Sequence, residues 1–191
     1  MTSAYGVFPA GGVHCAPTFV THIEDRTGKV VASFRAKRTD ALRPRTAYLM
    51  VQMLREVATS GTAGNLRYQC GLPWNMDLAG KTGTTQNSAD GWFVGFTPHL
   101  AAGVWVGCSD QRVNFGHSLF GRGSYMAMPV WGNFMRRVYL DKSLPYDETA
   151  QLKPPPNYFE QIYCPGDPIK RSTDEAVEVS DSTDAAPEGG E

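Results

Sequence analysis

The chain has 191 residues, of which 41% are hydrophobic and 19% charged, a composition sufficient for about one domain with a buried core. No window approaches the ~20 consecutive apolar residues of a membrane span, and the first residues carry neither the basic start nor the apolar run of a secretory signal. The formal net charge of −1 is unevenly distributed, because residues 1–171 hold all 18 bases against 12 of the 19 acids. These bases form no continuous run, so we expect neither a nucleic acid nor a membrane as a partner of this segment.

The cysteines and histidines show no metal-binding pattern. The four cysteines are separated by dozens of residues, and the four histidines do not fall at zinc-finger or zinc-ribbon distances from them. His14 and Cys15 form the one close pair, and no second pair completes a tetrahedral site. The sequence therefore predicts no metal and no cofactor.

The first elements in chain order are a predicted hairpin and a predicted helix. Residues 18–34 alternate in hydrophobicity and contain turn-forming residues at 24–28, a pattern typical of two paired strands. From Pro44 the hydrophobic period becomes that of a helix, which Thr59-Ser60-Gly61 ends. Residues 61–74 are rich in Gly, Asn and Pro and predict a long loop.

The second set of elements predicts a sheet and a further helix. Residues 76–85 form a candidate strand, and the apolar runs 92–96 and 100–106 predict an antiparallel hairpin in the middle of a sheet, covered on both faces. A helix is predicted from about Ala127, with Pro129 in its first turn. The aromatic and branched side chains expected to face the core are Trp92, Trp105, Val130, Trp131, Phe134 and Val138.

The chain is predicted to divide into three parts. Residues 1–140 would form the globular part, with an α/β (α+β) fold in which helices flank an antiparallel sheet. Residues 141–171 are a Pro-rich extension that three tyrosines are expected to anchor, namely Tyr146, Tyr158 and Tyr163. Residues 172–191 contain seven acids and little to bury, which predicts a disordered acidic tail.

The most informative patch is Lys81-Thr82-Gly83-Thr84-Thr85, which places one cation and three hydroxyls around a glycine. On a strand, Thr82 and Thr84 point to one face and could jointly hold one oxyanion, whereas Lys81, Gly83 and Thr85 point to the other. Gly83 would let another molecule approach the backbone, as an extended peptide does at a sheet edge. This pattern predicts a receptor for a peptide carboxylate. A glycine-bearing strand with a lysine that reaches solvent is the structural alternative.

A phosphate-binding loop is a competing interpretation of Gly80-Lys81-Thr82. The first glycine of that pattern would fall at position 75, which is Asn75. The lysine of such a loop also opens a helix, whereas Gly83-Thr84-Thr85 combines a helix breaker with β-branched residues. We therefore disfavour nucleotide binding.

Several segments around this patch make the chain resemble a known family. The order and spacing of Ala79–Thr85, Asp90–Pro98 and Gly103–Gly107 are similar to the third active-site motif and following hairpin of class A penicillin-binding proteins. Other segments of that family's domain are similar to residues 4–12, 17–23, 46–50, 59–62 and 129–135. The resemblance covers residues 4–140.

The resemblance implies a partial penicillin-binding, serine β-lactamase-like transpeptidase fold. It also implies acyl transfer by a serine nucleophile on peptidoglycan stem peptides, with β-lactams as acylating mimics. Lys81 would contribute positive potential and a proton-relay contact, and the hydroxyls of Thr82 and Thr84 would hold the substrate or drug carboxylate. The Thr84 backbone N–H would be one oxyanion donor. The strand with these residues would be an edge beside the active cleft.

Two of the three motifs that the family needs, S-x-x-K and S-x-N, do not occur in this sequence. None of its eleven serines has a lysine three residues later or an asparagine two residues later. We interpret the chain as the C-terminal half of a transpeptidase domain, cut after the second motif and inactive alone. The nucleophile and the second oxyanion donor would belong to the missing N-terminal half.

Three hypotheses about function remain open. The chain could be the carboxyl-terminal part of a bifunctional peptidoglycan synthase, working in cell-wall synthesis on the periplasmic side of the inner membrane with its anchor and glycosyltransferase half. It could instead be a non-catalytic module that binds a carboxylate peptide or a β-lactam. The third hypothesis is a nonfunctional gene fragment.

Overall fold

The computed structural model describes residues 1–110, 112–116, 119–156 and 158. The predicted acidic tail at 172–191 and the predicted anchor Tyr163 lie outside the described residues. The elements in chain order are α1 (Thr2–Tyr5), β1 (Val13–Cys15), β2 (His22–Glu24), β3 (Val30–Ser33), β4 (Arg38–Asp40), α2 (Pro44–Thr59), α3 (Leu66–Cys70), β5 (Ala79–Thr84), β6 (Asp90–Phe96), β7 (Ala101–Gly107) and α4 (Gly123–Leu140).

The central feature is an antiparallel sheet of order β5-β6-β7, in which Thr82 is paired with Phe93 and Phe93 with Val104. The predicted fold class, helices around an antiparallel sheet, is confirmed. β6 is almost entirely buried, as expected for a strand covered on both faces. The same prediction is wrong for β7, which lies at a sheet edge and alternates between half-buried and exposed residues. The apolar run alone did not distinguish the central strand from its neighbour.

The predicted hairpin is formed by β2 and β3, and its turn is held by one carboxylate. Asp25 accepts hydrogen bonds from the hydroxyl of Thr27 and from the backbone N–H groups of Thr27 and Lys29. These bonds lower the pKa of Asp25. A second pair, β1 with β4, was not predicted, because strands of three residues are too short to show alternation.

Helix α2 begins at Pro44 and ends at Thr59, as predicted. Its buried side chains are spaced at helical intervals, which confirms the periodicity argument. They are Ala47, Val51, Leu54 and Ala58. The predicted loop after it contains the five-residue helix α3. The glycines on either side of this short helix favoured the loop prediction.

Helix α4 differs from the prediction at its start and in its orientation. It begins at Gly123, four residues before Ala127, so Pro129 lies inside the helix and not in its first turn. Trp131 is fully buried and meets the ring of Phe93 edge-on at 5.2 Å between centroids. Val130 and Phe134, which we expected in the core, are about half exposed. Because both sides of this helix are apolar, its sequence did not determine which side packs on the sheet.

Trp92 and Trp105 also depart from the expected core positions. The two rings pack against each other at 6.4 Å on the sheet face opposite Phe93, and Trp105 stays 46% exposed. The indole N–H of Trp105 donates to the carboxylate of Asp90 at 3.1 Å. These two rings therefore pair on one face of the sheet without entering the core.

Two buried clusters stabilise the sheet. The larger packs α3 and α4 on the face that carries Phe93, and the smaller packs α2 and Leu152 on Ala79 and Phe96. Helix α2 thus lies along β5 and contributes to both clusters. None of the described helices combines the length and apolar character needed to cross a bilayer.

A buried ion pair connects α2 with the segment before β5. The guanidinium of Arg55 donates to both carboxylate oxygens of Asp77 and, at 2.8 Å, to the carbonyl of Leu152. The Leu152 N–H donates in turn to Asp77 at 2.7 Å. Burial opposes the Arg55 cation, but its bonds to Asp77 and Tyr48 raise its pKa above the ordinary value.

Two of the three predicted anchoring tyrosines lie against the body. The Tyr146 ring stacks on His99 at 5.7 Å, and the Tyr158 ring meets Tyr48 edge-on at 4.8 Å. These ring contacts confirm the predicted role of Tyr146 and Tyr158.

The start of α4 requires a residue without a side chain. A Cβ at Gly123 would overlap the carbonyl oxygens of Gly83 and Trp92, which are backbone atoms of β5 and β6. We therefore expect Gly123→Ala to lower the free energy of unfolding by about 2 kcal/mol, a typical cost of overpacking. Urea unfolding of the chain measures it. The control is Gly6→Ala, because Gly6 has a right-handed helical conformation and its Cβ would make only ordinary contacts. Equal stability of the two variants would contradict this account of α4.

Candidate functional site

The residues singled out from the sequence lie on β5, at the edge of the described sheet. Thr82 and Thr84 are paired with Phe93 and Gly91, on the face where α4 packs. Lys81, Gly83 and Thr85 alternate with them on the opposite face. The hydrogen bonds of Thr82, Thr84 and Thr85 agree with the predicted alternation.

The hydroxyl of Thr82 contacts a residue that follows helix α2. The oxygens Oγ1 of Thr62 and Thr82 are 2.8 Å apart, and either can be the donor. If Thr62 donates, the proton of Thr82 is free to bond an anion. Thr82 is half-buried at this contact, so its side chain is held between the strand and the end of α2.

The hydroxyl of Thr84 contacts the first turn of α4. It accepts a hydrogen bond of 3.2 Å from the backbone N–H of Gly123. Because that bond uses a lone pair of the oxygen, the proton of Thr84 remains available. Thr84 is exposed. Thr82 and Thr84, which we call the hydroxyl pair, can therefore both donate to one oxyanion.

Lys81 places a cation on the same strand as the hydroxyl pair. Its side chain is exposed, and its Nζ donates to the carbonyl of Thr82 at 2.9 Å. The ammonium thus stays beside the strand. One cation and two orientable hydroxyl protons on three residues of a sheet edge give the chemistry of an anion site, with carboxylate a suitable ligand.

Thr85 has a different environment from Thr84. Its hydroxyl accepts the backbone N–H of Asp90 at 2.9 Å, and this bond closes the turn between β5 and β6. The side chain of Asp90 is buried and accepts the indole N–H of Trp105. Thr85 therefore contributes to the turn and not to the hydroxyl pair.

Gly83 has a packing reason for lacking a side chain. A Cβ there would lie 3.2 Å from the Cβ of Trp92, closer than most such contacts. This face is opposite the hydroxyl pair. The expectation that Gly83 leaves room for a ligand is separate from this packing requirement and stays a prediction.

Two residues of the site were not found from the sequence. Thr62 is 20 residues from Thr82 along the chain, and Gly123 is 39 residues from Thr84. The sequence indicated a helix stop at Thr59-Ser60-Gly61 and a family-like segment at residues 59–62, but it gave the Thr62 hydroxyl no role. No comparable signal marks Gly123.

Comparison with known proteins decides the family. The profile of the penicillin binding protein transpeptidase domain matches residues 1–109, which include all of β5 and β6. The chain belongs to this family. This match, together with the similarity to penicillin-binding protein 1A, confirms the predicted resemblance to class A penicillin-binding proteins.

Individual relatives agree with the family and show that the chain matches part of each. Penicillin-binding protein 1A of Aquifex aeolicus is 32% identical over 175 residues, which are 88% of this chain and 23% of the relative. The crystal structure of penicillin-binding protein 1A from Haemophilus influenzae aligns with a TM-score of 0.66 and 23% identity over 81% of this chain and 27% of that one. The PonA1 protein from Mycobacterium tuberculosis, in complex with penicillin V, aligns with a TM-score of 0.59 and 25% identity over 81% of this chain and 43% of that one.

The chain therefore spans about a quarter of the length of the Aquifex aeolicus relative. It matches part of the penicillin binding protein transpeptidase domain, and its fold is similar to that of the corresponding part of the Haemophilus influenzae structure.

Proposed function

We propose that this segment forms the carboxylate-binding side of a transpeptidase active site that cross-links peptidoglycan stem peptides by acyl transfer. The single observation that supports this most strongly is the hydroxyl pair, in which Thr62 and Gly123 can each supply a donor to a threonine oxygen. Both threonine protons can then point at one carboxylate. Donors that already point at the carboxylate need no reorganisation when it binds, and this favours binding of a charged group.

The roles of the individual residues follow from the chemistry of acyl transfer. The hydroxyls of Thr82 and Thr84 hold the carboxylate of the stem peptide or of a β-lactam. Lys81 raises the local positive potential and contacts the proton relay, and the Thr84 backbone N–H is one donor to the oxyanion. Gly83 keeps the edge of the strand accessible. One oxyanion donor contributes about 3–4 kcal/mol to a serine enzyme, so the position of β5 affects the rate as well as binding.

The nucleophile comes from a preceding part of the same protein in this proposal. An S-x-x-K serine and an S-x-N motif there would complete the site, and the segment alone would not turn over. The longer protein would be a bifunctional peptidoglycan synthase with a glycosyltransferase half, anchored so that its domains work on the periplasmic side of the inner membrane. The boundaries 1–140, 141–171 and 172–191 are part of this proposal.

The first test concerns the chain alone. The relative PonA1 was solved with penicillin V, and we infer that β-lactams are ligands of the complete site here. We expect the isolated chain to form no covalent adduct with a fluorescent penicillin, because none of its eleven serines lies in the nucleophile motif. Intact-protein mass spectrometry is the measurement. A stoichiometric mass increase located on a serine of this chain would reject the proposal.

The second test concerns the gene. An in-frame S-x-x-K within the few hundred bases before the Met1 codon would supply the missing nucleophile. The protein expressed from that longer frame should be labelled stoichiometrically by the same penicillin. A stop codon with a separate promoter would favour the module hypothesis over the enzyme.

A non-catalytic binding module is the second candidate, because the hydroxyl pair and Lys81 are complete within this chain. In that case the chain itself would bind a peptide ending in D-alanyl-D-alanine without reacting. Amide chemical-shift changes at Thr82, Thr84 and Gly123 during titration with that peptide would support it. A matched peptide with a C-terminal amide should cause no such changes.

A further inference from the structure

A groove of about 500 Å³ lies next to the hydroxyl pair, between α3 and the start of α4. Thr62, which contacts the Thr82 hydroxyl, is part of its wall. Ser124, on the opposite wall, directly follows Gly123, which donates to Thr84. The groove therefore opens beside the hydroxyl pair, and no role for it follows from carboxylate binding alone.

The walls of this groove suit an uncharged part of a peptide. Tyr68 and Tyr125 expose 84% and 52% of their surfaces and provide two rings for packing. Asn65 and Gln69 have exposed side-chain amides on the same wall as Tyr68. The two residues are about one helical turn apart. Amides of this kind can donate to peptide carbonyls and accept from peptide N–H groups. The size is within the ~300–1,000 Å³ that ligand pockets usually have.

We propose that this groove binds the acceptor of the transfer, the amine-bearing branch of a second stem peptide. This inference rests on the proposed function. The hydroxyl pair holds the carboxylate on the α-carbon of the first amine. That amine then leaves the acyl carbonyl. The second amine must reach the same carbonyl from the position that the first one left, because attack and departure follow one path in opposite directions. Its substituents then extend past Thr82 into the groove.

The bond changes in this step balance without a further reactant. The acceptor nitrogen forms a C–N bond to the acyl carbon, and the C–O bond of the acyl-serine ester breaks. One proton passes from the nitrogen to the serine oxygen. The walls of the groove hold and orient the acceptor and take no part in the proton transfer.

A second polar groove favours this assignment over one for the donor. It has a volume of about 430 Å³ and lies at the other end of β5, where Thr85, Asn87 and Arg112 contribute to its wall. The acyl part of the donor extends from the carbonyl away from the carboxylate, hence away from the Thr82 end of the strand. The groove at Tyr68 is therefore left for the acceptor.

The test separates acylation from the use of the acceptor. The full-length transpeptidase that carries this segment is acylated by a thioester peptide donor, and the acyl-enzyme is divided between water and an added amine. The amines are D-alanine, which is too small to reach the groove, and a tripeptide with an amine on its third side chain. Tyr68→Ala is compared with Trp74→Ala, an exposed aromatic residue that is not part of the groove wall.

We expect Tyr68→Ala to lower the ratio of tripeptide transfer to hydrolysis about tenfold, equivalent to ~1.4 kcal/mol. Its acylation rate and its transfer to D-alanine should stay within about twofold of the parent, and Trp74→Ala should match the parent in all three measurements. An unchanged tripeptide ratio, or an equal loss with D-alanine, would overturn the acceptor assignment. Failure of the parent enzyme to acylate would instead reject the proposed function, and the acceptor assignment with it.

Discussion

Asp77→Asn is expected to lower the free energy of unfolding by about 3 kcal/mol, the lower end of the cost of breaking a buried ion pair. Asp77 is buried, and the substitution leaves Arg55, whose side chain is only 23% exposed, without its countercharge. The Leu152 N–H would also lose its charged acceptor. Urea unfolding of the chain, followed by circular dichroism, measures the change.

The matched control is Asp110→Asn. Asp110 pairs with Arg112 through the same two residue types, but the Arg112 side chain is 91% exposed, and exposed pairs of this kind contribute little to stability. We expect its unfolding curve to coincide with that of the parent. A double-mutant cycle with Arg55→Met then isolates the coupling between Arg55 and Asp77. If both aspartate variants unfold at the same urea concentration, the buried pair does not stabilise the fold.

Thr84→Val is expected to slow acylation by a β-lactam about ten- to a hundredfold in a protein that joins this segment to the proposed nucleophile-bearing half, whereas Thr85→Val should acylate at nearly the parent rate. Valine keeps the branched shape and the backbone N–H, so the deficit reflects the lost hydroxyl contact with the carboxylate. A hydrogen bond to a charged group contributes about 1.5–3 kcal/mol. Stopped-flow acylation gives the second-order rate constants.

The two variants form a matched pair for stability. Each removes a hydroxyl that accepts one backbone N–H, from Gly123 in the case of Thr84 and from Asp90 in the case of Thr85. Similar losses of stability are therefore expected, and only the acylation rates should separate them. Equal rates, or the slower rate in Thr85→Val, would show that the carboxylate does not bind at the hydroxyl pair.

Local sequence patterns determined much of the fold. The helical spacing of Ala47, Val51 and Leu54 placed α2 correctly, and Pro44 marked its start. The strand period of two alone places Thr82 and Thr84 on one face. Such patterns are reliable because each depends on the geometry of a few consecutive residues.

The same patterns were insufficient wherever two faces were chemically alike. The α4 sequence has apolar residues on both sides, and only its packing on the sheet left Val130 and Phe134 partly exposed. Its start at Gly123 depends on close contact with the backbone of Gly83 and Trp92. Neither fact can be inferred from hydrophobic period.

The sequence by itself determined the family, the edge strand and the alternation of the lysine, glycine and threonines along it. Only the tertiary structure brought Thr62 to Thr82 and Gly123 to Thr84, across 20 and 39 residues of chain. The groove beside these residues, between α3 and α4, is also a feature of the tertiary structure alone. The physical reason is that strand alternation is a property of neighbouring backbone units, whereas the partners of a hydroxyl depend on how separate elements pack around the core.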